Sequence, residues 1–153
     1  MKSIIIYCSK TGNTEKVADA ILKGLNGNAD IVKLELTSGG LMRSFNPAFT
    51  FDFTGYDRVF LGSWVMMMQV HPFMAAYINS CASLEGINIA GFLTGAAIFS
   101  KRHAETDLRT LIEAKGGKLT HFLYTTTLLG PALTRKKLKL AEKFASSVLK
   151  EKD

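Results

Sequence analysis

The chain reads as a doubly wound α/β fold, a five-stranded parallel sheet with helices on both faces. Three observations predict it. Strand-like and helix-like patterns alternate along 153 residues with no break in composition. Ser3–Tyr7 and Arg58–Gly62 are apolar runs of the kind found in strands covered on both faces. Strands separated by helices need crossovers, and right-handed crossovers place helices on the two faces of a parallel sheet.

Taken in order, Ser3–Tyr7 is the first strand, and Asn13–Leu25 follows as a helix with Val17, Ala18, Ile21, Leu22 and Leu25 along one face. Asp30–Leu36 alternates apolar and charged residues, as a strand near a sheet edge does. Thr37–Asp57 is less regular, broken by Gly39-Gly40 and Pro47 and studded with Phe45, Phe49, Phe51, Phe53 and Tyr56. Arg58–Gly62 is the third strand, ending at Gly62-Ser63, and Pro72 suits the first turn of a helix. Phe73, Met74, Tyr77, Ile78 and Cys81 form that helix's inward face. Asn88–Thr94 is the fourth strand, and the helix His103–Lys115 closes at Gly116-Gly117. Lys118–Thr127 is the fifth strand. Thr134 caps a last helix that turns Leu138, Ala141, Phe144, Ala145, Val148 and Leu149 inward.

Composition narrows the function. The length suits one domain spanning 1–153, and 47% hydrophobic with 21% charged residues excludes a disordered chain. The longest apolar stretch, around Ile87–Ala97, is interrupted by Asn88, Gly91, Thr94 and Gly95, so no membrane span is expected. Met1–Tyr7 is too short for a signal core and is read as a strand, which makes the protein cytoplasmic. Cys8 and Cys81 then stand as reduced, buried thiols. His71, His103 and His121 are scattered without metal-ligand spacing, so no metal is assigned. No Ser-His-Asp set or carboxylate pair marks a catalytic residue. Of the net charge of +6, four charges come from Arg135–Asp153, where seven Lys/Arg face three Asp/Glu. That helix is read as a solvated face rather than a nucleic-acid surface.

Ligands of such sheets bind beyond the carboxyl ends of the strands, where strand order reverses. Three loops leave those ends: Ser9–Thr14, Ser63–Val70 and Thr94–Arg102. The first, Ser9-Lys10-Thr11-Gly12-Asn13-Thr14, carries three hydroxyls, an amide and one glycine just before a helix N-terminus. Unpaired N–H groups and the helix dipole there favour a dianionic phosphate. Ser9, Thr11 and Thr14 can add hydrogen bonds, and Gly12 permits close backbone approach.

This loop resembles the phosphate-loop signature of the flavodoxin family, [Ser/Thr]-x-Thr-Gly-x-Thr after an apolar first strand. Tyr7-Cys8 leads in and Glu15-Lys16-Val17-Ala18 leads out. Tyr56–Ser63 is similar to the family's third strand. The resemblance implies a flavodoxin-like three-layer sandwich, strand order 2-1-3-4-5, and FMN as a non-covalent cofactor. It also implies that Ser63-Trp64-Val65-Met66 begins one loop against the flavin ring and that Thr94-Gly95-Ala96-Ala97, with Phe99, forms the other. Trp64 suits ring stacking, while Val65, Met66 and Met68 are open between ring contact and core packing. Phe99 is open between the same two roles. The chain has Trp64 where relatives often carry proline. A phosphorylated receiver domain shares the topology but needs acidic residues where this chain has Tyr7-Cys8-Ser9.

The expected function is electron transfer with redox partner proteins, acidic ones by charge complementarity. The alternative is an FMN-dependent oxidoreductase on the same fold, acting on quinones or a protoporphyrinogen-like substrate. The basic balance and the hydrophobic Trp64–Met68 segment favour that alternative.

Overall fold

The computed structural model describes residues 1–35, 52–127 and 133–151. β1 (Ser3–Tyr7) is buried along its whole length, because its β-branched residues are covered on both faces. It pairs in parallel with β2 (Asp30–Lys33) on one side and with β3 (Arg58–Met66) on the other. β5 (Asn88–Gly95) adds to β3, and β6 (Lys118–Thr126) closes the far edge. β4 (Gln69–Val70) pairs with β3, antiparallel. Leaving this short strand aside, the five parallel strands run in the expected order 2-1-3-4-5.

Helices cover both faces. On one, α2 (Pro72–Ser80) and α3 (Lys101–Glu113) bury Phe73, Met74, Ala104 and Leu108 against Ile4, Ile6, Leu61 and Leu93. On the other, α1 (Asn13–Gly24) and α4 (Arg135–Lys150) bury Val17, Ile21, Ala141 and Ala145 against Ile5, Phe60 and Phe92. The strand period of two sends Ile4 and Ile6 to one layer and Ile5 to the other. The result is the three-layer sandwich.

Several boundaries move. β3 does not end at Gly62-Ser63 but continues to Met66, turns through Met67 and Met68, and returns as β4. Both turn residues have positive φ, 51° and 67°, the pattern of a two-residue hairpin whose twist matches the strands. Asn-Gly is the usual carrier of that turn, so Met-Met gave no signal. β2 stops at Lys33, although the buried Leu34 still donates its N–H to the Tyr7 carbonyl at 2.7 Å. α3 begins two residues earlier than expected, directly after a short 3₁₀ turn, Ile98–Ser100. Leu149, expected inward, is exposed. Phe45, Phe49, Phe51 and most of Thr37–Asp57 lie outside the described residues, whereas Phe53 joins the α2/α3 core.

Candidate functional site

The first and third loops and the β3 hairpin meet at the carboxyl edge of β1, β3 and β5. Cys8 donates its N–H to the Gly62 carbonyl at 3.1 Å, and Trp64 stands in register with Thr94. Across this junction the Thr14 and Thr94 hydroxyls lie 2.9 Å apart, both buried. One hydroxyl pair thus ties the start of α1 to the end of β5.

In the first loop, Gly12 has φ 91° and is the N-cap of α1. A Cβ there would touch nothing within 4 Å, so glycine is required for its conformation rather than for space. The Gly12 N–H donates to the Ser9 hydroxyl at 3.1 Å, which closes the loop. Among the described residues no side chain caps α1. The first-turn N–H groups therefore face the loop as donors, at the positive end of the helix dipole. Lys10 and Thr11 are exposed and Asn13 is half-buried. The one carboxylate of that turn, Glu15, is turned aside: it accepts from Lys33 Nζ at 3.2 Å and from the Tyr7 hydroxyl at 3.0 Å. Lys33 and Tyr7 together hold it below its usual range. A loop of backbone N–H groups, hydroxyls and one lysine, with its only acid occupied, has the donor set of an oxyanion site.

The hydroxyls do not play equal parts. Thr11 points into open surroundings, and Ser9 still has its hydrogen to give, since its oxygen is the acceptor for Gly12. Thr14 is 1% exposed and can donate outward only when Thr94 donates to it.

At the hairpin, Ser63 is buried; its hydroxyl donates to the Trp64 carbonyl and accepts from the Cys8 thiol at 3.5 Å. Burial pushes the Cys8 thiol up to about 12, so it is protonated and unreactive at neutral pH. Trp64 is half-buried with one face against the His71 ring, centroids 4.0 Å apart. Val65 pairs with Val70, while Met66, Met67 and Met68 are exposed. The Val70 N–H donates to Asp107 of α3 at 2.9 Å, which fastens the hairpin to that helix.

In the third loop, Thr94 and Gly95 are buried and Ala96 is exposed. Tyr124 of β6 donates its hydroxyl to the Ala97 carbonyl at 2.7 Å. A Cβ on Gly95 would lie 2.1 Å from that hydroxyl, so glycine lets Tyr124 reach across and brace the loop. Ile98 and Phe99 are 65% and 69% exposed, which removes Phe99 from the core.

The structure therefore gathers Ser9–Thr14, Trp64–Met66, Thr94–Ala97 and Phe99 at one edge of the sheet. Sequence reasoning missed His71, Asp107 and Tyr124. Asp107 and Tyr124 act on loops distant in sequence, and His71 meets Trp64 across the hairpin turn, so no local pattern marks them.

A family model for the flavodoxin domain matches residues 4–127. The chain belongs to the flavodoxin domain family. A flavodoxin-like domain-containing protein of Clostridioides difficile, BilS, is 39% identical over 66 residues, covering 42% of this chain and 32% of that protein. The matched stretch is thus about a third of that curated relative's length. Oxidised Flavodoxin 2 from Bacillus cereus superposes with a TM-score of 0.68 at 20% identity over 95% of both chains. A Lactobacillus acidophilus flavoprotein solved in complex with FMN superposes at 0.66 and 16% identity, over 80% of this chain and 92% of that one. At these identities the superpositions concern the fold of this flavodoxin-family chain.

Proposed function

We propose that this chain binds FMN non-covalently and serves as a cytoplasmic electron carrier, with 1–153 acting as one domain. The observation that carries the reading is the uncapped N-terminus of α1 behind left-handed Gly12, with Ser9 and Thr11 beside it and Glu15 turned away. The cofactor is FMN. When bound, it supplies one- and two-electron redox chemistry that no side chain here provides.

The chain's own residues divide the work. Ser9, Lys10, Thr11, Gly12, Asn13 and Thr14 hold the phosphate through backbone N–H groups, hydroxyls and the lysine charge. The hairpin Ser63-Trp64-Val65-Met66 covers one side of the ring, with the indole held by His71. Thr94-Gly95-Ala96-Ala97, braced by Tyr124, covers the other, and Phe99 stands at its rim. Exposed Met66, Met67, Ile98 and Phe99, with Lys101 and Arg102 next to them in the chain, make an apolar rim with positive charge. Such a rim suits transient docking of acidic redox partner proteins.

An open cavity of about 450 Å³ between the hairpin and α3 favours a second reading, an FMN-dependent oxidoreductase. Met67, Met68, Arg102, His103 and Asp107 line it, so apolar, cationic and proton-carrying groups stand together. Turnover decides between the readings. A carrier loaded with FMN passes electrons to an acidic redox protein at a rate that falls as salt rises, and shows no saturable turnover of small quinones with NADPH. Saturable quinone turnover lost in His103→Ala establishes the enzyme instead.

A further inference from the structure

The opposite, amino-terminal edge of the sheet holds a cavity of about 490 Å³, within the size range of small-molecule sites. Phe60, Ala90 and His121 form one row across three strands, large, small, large. Phe144 of α4 packs edge-on against both Phe60 and His121, at 6.3 and 6.5 Å between ring centroids. Ala90 and His121 line the cavity on the side of the strand ends, with Val148 of α4 and Glu151, the C-cap of that helix, on its wall.

The row at the mouth is rich in donors. Asn88 pairs with Lys118, and Arg58 stands beside Asn88, one residue ahead of the Val59–Ile89 pair. Their backbones thus lie on neighbouring strands, roughly 4.8 Å apart from one to the next.

Arg58 is the unusual member. It is 9% exposed and lines the cavity. Among the described residues no carboxylate pairs with its guanidinium, and no side chain or carbonyl accepts from it. The two acids of the cavity wall are engaged elsewhere: Asp57 accepts the Lys2 backbone N–H at 2.6 Å, and Glu151 meets His121 Nε2 at 3.1 Å. The Arg58 guanidinium nitrogens are not among the fully enclosed polar atoms that lack a partner, so the fork is solvated through the cavity and open to a ligand there. The guanidinium fork matches the two oxygens of a carboxylate or phosphate.

We propose that this cavity is a second ligand site, taking the oxyanion of a small carboxylate or phosphate metabolite, with Arg58 as its anchor. Asn88 and Lys118 supply further donors. Glu151, together with the negative end of α4, opposes the anion, so binding displaces Glu151 from the mouth. The site is independent of the flavin: Arg58 and Met66 end a nine-residue strand and lie roughly 26 Å apart at the rise of an extended chain.

The test is an NMR titration of ¹⁵N-labelled protein supplied with FMN, using inorganic phosphate, succinate and, at matched ionic strength, sodium chloride. The amides of Asn88 and His121 report on this cavity, and that of Gly12 on the first loop. Saturable shifts at Asn88 and His121 are expected with phosphate or succinate but not with chloride. The tighter of the two probes assigns the ligand as a phosphate ester or a carboxylate. Arg58→Met should weaken binding by about ten- to a hundredfold and leave flavin content unchanged. Glu151→Gln should tighten it. If Arg58→Met does not fold, Arg58→Lys, which keeps the charge and loses the fork, should still weaken it severalfold. Shifts that follow chloride equally, that do not saturate, or that persist unchanged in both arginine variants mean an adventitious ion only, and overturn the proposal.

Discussion

Thr14 carries two demands on a single hydroxyl. Its bond to Thr94 fastens α1 to β5, while the phosphate-loop reading asks the same group to face a ligand. A double-mutant cycle separates them. Thr14→Val or Thr94→Val alone leaves a buried hydroxyl without its partner and should destabilise the fold by about 1–3 kcal/mol in urea unfolding. The double variant removes both groups and should recover most of that loss. FMN affinity, measured on the same proteins, should stay about tenfold or more reduced in the double variant if Thr14 also donates to the phosphate. Full recovery of affinity with stability would make Thr14 a latch alone. Thr11 was legible as a loop hydroxyl and stands exposed. The Thr14–Thr94 contact was not legible, because its partners are 80 residues apart.

Among the elements, the helices and the core strands follow from local chemistry and the hairpin does not. Pro72 opens α2 as expected, with the His71 ring accepting the Phe73 N–H at 3.1 Å. Thr134 caps α4 through the Lys137 N–H. Gly116, with φ 82°, ends the turn after α3. Period and caps are properties of neighbouring residues, so a sequence displays them directly. The β3–β4 hairpin turns on Met67 and Met68, which have no turn propensity; tertiary ties hold it instead, through Val70 to Asp107 and Trp64 to His71. An L-residue in the left-handed region costs about 1–2 kcal/mol. Met67→Asn/Met68→Gly relieves part of that strain and should raise stability by about 1 kcal/mol, a Tm gain of roughly 2–4 °C. An unchanged or lower Tm would show that the methionine side chains contribute more than the turn costs.

Across the whole molecule, charge is arranged at both ends of the sheet. Beside the carboxyl edge of the sheet, where the proposed flavin site lies, Lys101 and Arg102 begin α3, where their sign opposes the helix dipole, and Asp107 lies one to two turns further along the same helix. Neither Ser63–Val70 nor Thr94–Arg102 contains an Asp or Glu. The fold brings the Asp107 carboxylate to the hairpin backbone, where it offsets part of the positive charge. Positive charge near the ring favours the negative charge gained on reduction. Lys101→Glu/Arg102→Glu should therefore lower the midpoint potential by tens of millivolts, more at low salt, and Asp107→Asn should raise it while keeping an acceptor for Val70. Reductive titration at two ionic strengths reads both shifts. The family and the strand order were legible because the phosphate loop is contiguous and the strands are apolar runs. The amino-terminal cavity was not, since its lining comes from segments far apart in sequence, Arg58, Asn88, Lys118 and Glu151 among them. The central claim is that the Ser9–Thr14 loop grips the phosphate of FMN, and paired titrations of apoprotein with FMN and riboflavin, followed by emission from Trp64, the one tryptophan of the chain, test it most directly. FMN should bind one to one, quench the tryptophan, and hold at least about a hundredfold tighter than riboflavin, with Thr11→Ala narrowing that ratio about tenfold. Equal affinity for FMN and riboflavin, or a ratio untouched by Thr11→Ala and Gly12→Ala alike, would contradict it.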